Sequence, residues 1–202
     1  MSKNSPINKK TSALTVNSAY SLPTTDGDAD EIIETDGSGN LSWTAPAVSD
    51  ILVQEVANST SSAVQINAQI PRDDTIPQKT EGTEIITCSI TPTSSTNILL
   101  IEVSSYISWG DCVAAIYAIF QDDTSNALAA IADTFASSPG ASRSTFTFRH
   151  RMVAGTTSST TFKFRAGTAT KGVYSAICGT STTGNLYGGV SSCIITVQEY
   201  EA

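Results

Sequence analysis

Residues 143–153 read RSTFTFRHRMV, and the order of these side chains decides the fold. Phe146, Phe148, His150 and Met152 occupy every second position, with Thr147, Arg149 and Arg151 between them. A β-strand sends successive side chains to opposite faces, so this run has one largely apolar face and one polar, basic face. Residues 160–165, TTFKFR, repeat the pattern, placing Phe162 and Phe164 inward and Lys163 and Arg165 outward. Strands with one apolar face need a second layer to cover it.

Further short β-rich runs occur at 51–56, 63–70, 83–90, 98–109, 113–120, 127–132, 172–177 and 192–200, split by Gly, Pro, Asp and Ser clusters. Such spacing predicts an all-β head, a sandwich of two antiparallel sheets with a jelly roll as the leading topology. Ser and Thr supply over a quarter of the chain, and long apolar segments of helical period are almost absent. For 127–136 a short buried helix competes with a strand, because Ala and Leu form helices well. Residues 113–120 are almost continuously apolar and read as a strand either covered on both faces or facing a symmetry mate. The basic faces of 143–153 and 160–165 are expected on neighbouring strands, solvated or paired with acidic groups of another subunit.

At 202 residues the chain accommodates one ordinary domain and an extension. The head is assigned to 50–202, and 1–49 to an extended basic leader followed by an arm. Between them Thr44, Ala45, Pro46 and Ala47 read as a hinge, since proline cannot donate to a ladder. The formal net charge of -8 opposes nucleic-acid binding, which needs a basic stripe to neutralise phosphates. Lys3, Lys9 and Lys10 precede Asp26, Asp28, Asp30, Glu31, Glu34 and Asp36; this leader is either a solvated tail or a docking element for an acidic assembly surface. The start of the chain lacks the apolar core of a signal peptide, and no stretch approaches the length of a membrane helix. The expectation is synthesis and assembly in a cytoplasm, without membrane insertion. Cys88, Cys112, Cys178 and Cys193 show no CxxC spacing and read as small buried thiols in preference to zinc ligands or disulfides. If one disulfide forms, Cys178 with Cys193 is the pair to test, because their runs can neighbour each other across a Gly-rich loop.

The arm, residues 19–43, reads AYSLPTTDGDADEIIETDGSGNLSW and carries the turn signal TDG twice, at 25–27 and 35–37. Only Ile32 and Ile33 are strongly apolar between the two turns, too little to order an isolated chain. The wording A-Y-x-L-P-T-x-D-G followed by T-D-G-x-G-N-L-S-W resembles a module of tailed-bacteriophage virion fibre and decoration proteins, in which three chains share a narrow stalk. The resemblance covers the first quarter of the chain. It implies a homotrimer whose assembly contacts are Tyr20, Leu22, Ile32, Ile33, Leu41 and Trp43. It also implies a place on the virion surface, assembly in the host bacterial cytoplasm, and the major capsid protein or tail components as partners. The brief leader favours a decoration, cement or head-fibre protein over a short tail fibre with a C-terminal receptor-binding head.

Chemistry is sparse. The sole histidine, His150, sits on an aromatic strand face and reads as a core or interface residue, leaving Ser, Thr and Cys without a general base. Asp26, Asp28 and Asp30 open like an EF-hand loop, but its sixth position is Glu31 where Gly is needed and its twelfth is Gly37 where Glu is needed. The doublets Asp73 and Asp74, Asp122 and Asp123, and the pair Glu81 and Glu84 read as turn residues rather than glycosidic acid and base. No phosphate-binding glycine motif and no β-helical repeat are present. The chain is therefore expected to be non-enzymatic, with no cofactor and no metal. Among the aromatics, Trp109, Tyr117, Tyr174 and Tyr187 are candidates for stacking on host-surface glycan. Tyr174 and Tyr187 flank the Gly-rich loop at 179–189 and are the preferred pair, whereas core packing explains Trp109 better.

Overall fold

The computed structural model describes residues 15–16, 20–46, 51–109, 114–134, 142–170, 175–178, 185 and 187–202. The chain divides into two units, Met1–Ser49 and Asp50–Ala202.

In the first unit β1 (Thr15–Val16) pairs antiparallel with β2 (Tyr20–Ser21), and β3 (Ile32–Thr35) with β4 (Leu41–Thr44). The second TDG makes the β3–β4 turn. Asp36 Oδ1 accepts from Ser38 N at 2.7 Å and Asn40 N at 3.1 Å, Oδ2 accepts from Asn40 Nδ2 at 2.6 Å, and Gly37 takes a φ of 76°. These three donors, the Asn40 side chain first, hold the Asp36 carboxyl below its ordinary range. The first TDG has another use. Gly27 is outside the left-handed region; Asp30, with a φ of 69°, takes that conformation instead. Gly27 lies beneath Trp43, where an added Cβ would stand 2.5 Å from the indole.

The second unit is built from β5 (Leu52–Thr60), β6 (Val64–Ile66), β7 (Thr83–Ile90), β8 (Ile98–Trp109), β9 (Ala114–Gln121), β10 (Ala129–Thr134), β11 (Ser142–Val153), β12 (Thr160–Thr168), β13 (Ser175–Ile177) and β14 (Cys193–Tyr200). One sheet has the order β10-β9-β12-β7; the other runs β5-β14-β8, with β11 on the far edge of β8 and β13-β6 continuing beyond β14. When β5, β7, β8, β9, β10, β11, β12 and β14 are counted as strands one to eight, the sheets read 5-4-7-2 and 1-8-3-6, the strand order of a jelly roll. All pairings between these strands are antiparallel.

Period two fills the space between the sheets. Phe146 and Phe148 of β11 enter from one side, and Tyr117 of β9 with Phe162 and Phe164 of β12 from the other. The Tyr117 ring stacks on Phe146 at 3.9 Å between centroids, with Phe164 5.9 Å from Phe146. The competing helix at 127–136 is not formed in its described part: Ala129–Thr134 is β10, held along its length by β9. Ala114 to Phe120 are buried to the last residue, which the chain achieves without a symmetry mate. Ile116, Ala118 and Phe120 pack with Ile70 on the far side of the sheet, and Ile70 sits so close over Gly167 that a Cβ there would stand 2.5 Å away.

The two basic faces belong to opposite sheets, because β11 pairs with β8 while β12 pairs with β7 and β9. Their charges meet acids of the same chain. Arg149 bonds Glu102, Lys163 lies 3.7 Å from Asp123, and Arg165 lies 3.2 Å from Glu84. Exposed pairs of this kind contribute little to stability.

Candidate assembly interface

The arm residues separate into two groups. Every residue of β3 is exposed, and the apolar ones strongly so: Ile32 at 50% and Ile33 at 44%, with Tyr20 of β2 at 47%. Alternation puts Ile32 and Ile33 on opposite faces of a four-residue ribbon, so neither face alone can hide both. Leu22, Leu41 and Trp43 are half-buried. Trp43 packs on Gly27 and donates Nε1–H to the Thr25 carbonyl at 2.9 Å, while Ser21 N donates to Gly39 O at 2.8 Å. Trp43 therefore organises the arm from within, and the isoleucines and Tyr20 face outward. A two-stranded hairpin is marginal in water, and this one leaves its largest aliphatic side chains wet.

On the head, Tyr187 opens the 3₁₀ turn Tyr187–Gly189 at 69% exposure and with a φ of 51°, next to Val190 at 81%. Tyr174 lies outside the described residues, as do Cys112, Ala47 and most of the 179–189 loop. Tyr117 is no glycan candidate, being wholly buried against Phe146. His150 is half-buried on the inward side of β11, and burial lowers its pKa.

Several of the acidic residues singled out above are engaged in structure. Asp122 caps the turn after β9, accepting from Thr161 N at 2.7 Å and Thr160 Oγ1 at 2.9 Å. Asp73 accepts from Thr75 N at 2.9 Å, and Glu81 from Gln78 N at 2.9 Å. Among the described residues no group of three or more His, Cys, Asp or Glu could hold a metal ion. No helix there is long and apolar enough to cross a membrane.

Glu199 went unremarked in the sequence, yet among the described residues it is the carboxylate most deeply built into the fold. It is fully buried on β14 and accepts from Gln54 Nε2 at 2.5 Å, Asn97 Nδ2 at 2.7 Å, Thr93 N and Thr93 Oγ1 at 2.8 Å, and Ser94 N at 3.3 Å. Burial raises its pKa, but the donors of Gln54, Asn97 and Thr93 outweigh burial and hold it down at about 2. Its partners lie on β5 and in the 91–97 turn, so the site closes a loop.

No family model and no curated protein matches the chain. Solved structures similar to it include Eiger TNF from S. frugiperda, at 12% identity and a TM-score of 0.44 over 73% of this chain and 94% of that one. Dimeric latent PorU from Porphyromonas gingivalis is similar at 10% identity and a TM-score of 0.34, over 76% of this chain and 14% of that one. The T13 IBDV viral particle contributes a chain at 9% identity and a TM-score of 0.33, over 80% of this chain and 38% of that one.

Proposed function

We propose that the protein is a non-enzymatic structural component of a bacteriophage virion, a homotrimer that decorates or cements the capsid surface. The observation that carries this reading is the exposed β3 ribbon. Ile32, Ile33 and Tyr20 are presented to water by a segment too small to cover them, and the fibre-like wording of 19–43 supplies the occupant, two further copies of the same arm. Ordering and assembly are then one event. Ile32 and Ile33 are each about half exposed, so covering what remains contributes roughly 1 kcal/mol apiece, and association completes the fold of the arm. The sheets of the jelly-roll head close over their core within one chain. Partners are the sister copies and the major capsid protein or tail components. Localisation is the virion surface, after assembly in the host bacterial cytoplasm.

A short tail fibre with a receptor- or glycan-binding head is the second reading, favoured by one observation, the exposure of Tyr187 beside Val190. Copy number and position separate the two. Electron microscopy of the intact particle should find trimers on the capsid in hundreds of copies; a few copies at the tail would support the fibre instead, and absence from the particle would defeat both.

A further inference from the structure

Two of the buried thiols lie at one point in the sheet. β13 and β14 pair with the same edge of β8 and run in the same direction, β13 against 107–109 and β14 against 98–104. They are two lengths of a single strand line, interrupted by residues 179–192. Cys178 is the last residue before the interruption, its N–H donating to Tyr106 O at 3.1 Å, and Cys193 is the first residue after it. The ladder places Cys178 beside Tyr106 and Cys193 beside Ser105, consecutive positions on β8.

Alternation alone would send neighbours on one strand line to opposite faces, but Cys178 has a φ of 58° and departs from it. Both thiols are wholly buried in the same core cluster. Cys178 Sγ lies 3.7 Å from Ser105 Oγ and 3.6 Å from the carbonyl of Thr60, the residue directly opposite Cys193 on β5. Both contacts of Cys178 therefore point at the position that Cys193 occupies. Cys88 belongs to β7, in the other sheet.

We propose that Cys178 and Cys193, free thiols in the structure, form an intrachain disulfide on exposure to a disulfide oxidant, stapling the neck of the 179–192 segment that carries Tyr187 and Val190. The chemistry is two successive exchanges. One thiol gives up its proton and attacks a sulfur of the oxidant, releasing one thiolate and leaving a mixed disulfide; the second thiol, deprotonated in turn, attacks the protein sulfur of that intermediate and expels the other half as a thiolate. The protein loses two protons and two electrons, and the oxidant is reduced to two thiols. Burial raises both thiols, Cys193 to about 12, so the thiolate is scarce and the exchange is slow near neutral pH.

The test uses the unaltered full chain. It is incubated at mildly alkaline pH with oxidised glutathione or with a reductant, unfolded in iodoacetamide, digested and read by mass spectrometry. The expected result after oxidation is a peptide pair linked through Cys178 and Cys193, with both unalkylated, a mass lower by two hydrogens, and a melting temperature about 5 °C or more above the reduced form. Cys178→Ser and Cys193→Ser should each leave the other cysteine alkylatable. Full alkylation of both after oxidation, a stable glutathione adduct on either, or linkage to Cys88 or Cys112 would overturn the proposal.

Discussion

At the scale of the residue, the head depends on an anion in its interior. Glu199 is fully buried and takes five donor contacts from two separate parts of the chain. Glu199→Ala leaves Gln54, Thr93 and Asn97 without their acceptor and is expected to cost roughly 3 kcal/mol, measured as a shift in urea midpoint. The folded pKa near 2 lies below the ordinary 4.5, so this contribution is complete above about pH 4.5 and is lost as pH falls towards 2. His150 acts earlier in the same titration. Its lowered folded pKa means that the unfolded chain takes up the proton first, and stability declines as pH falls through 6.5. Unfolding midpoints between pH 7 and 3 should therefore drop in two stages, with Glu199→Gln removing much of the lower one; an unchanged lower stage would refute the assignment. In the arm, Gly27→Ala forces the Trp43 ring away and breaks its bond to Thr25, a strain of about 1–3 kcal/mol. Indole emission in a Trp109→Phe background should shift to the red. The sequence offered no route to Glu199, because its partners lie between 102 and 145 residues away. Gly27 was misread for a related reason: Asp-Gly signals a turn locally, while the need for a missing side chain came from an indole further along the chain.

At the scale of the element, period two was the reliable guide. The runs at 83–90, 98–109 and 143–153 match β7, β8 and β11 nearly residue for residue, because each has one face dry and the other wet. Legibility failed at the sheet edge, where β10 is largely exposed and shows no alternating buried face. Nothing local in the 127–136 run distinguishes a small-residue strand from a helix, and the ladder to β9 is what decides in favour of β10. Strand order was equally silent, so the basic faces of β11 and β12 were placed together although they lie on opposite sheets. The β3 ribbon gives the sharpest test at this scale. Ile32→Asp with Ile33→Asp should weaken self-association at least tenfold while leaving the melting of the head unchanged, as followed by sedimentation and circular dichroism. A double variant that associates as tightly as the parent would remove β3 from the interface.

For the whole molecule, the division at Ser49 separates a unit with a closed core from one that has no buried apolar residue among those described. Residues 50–202 are expected to fold alone, with cooperative melting, but to trimerise weakly and to lose attachment to particles. Sedimentation and particle co-purification measure the two effects separately, and undiminished attachment of that fragment would exclude the arm as the anchor. Fold class was readable from pattern; the jelly-roll order emerged only from the pairing.

The position of β14 sets an order of events during synthesis. It lies between β5 and β8 in the centre of its sheet, so the first strand of the roll waits unpaired on that side until the eighth has left the ribosome. A nascent chain interrupted before residue 193 lacks the strand that joins β5 to β8 and leaves both of those edges open. The two halves of this sheet are thus joined last, so the roll closes only on a finished polypeptide.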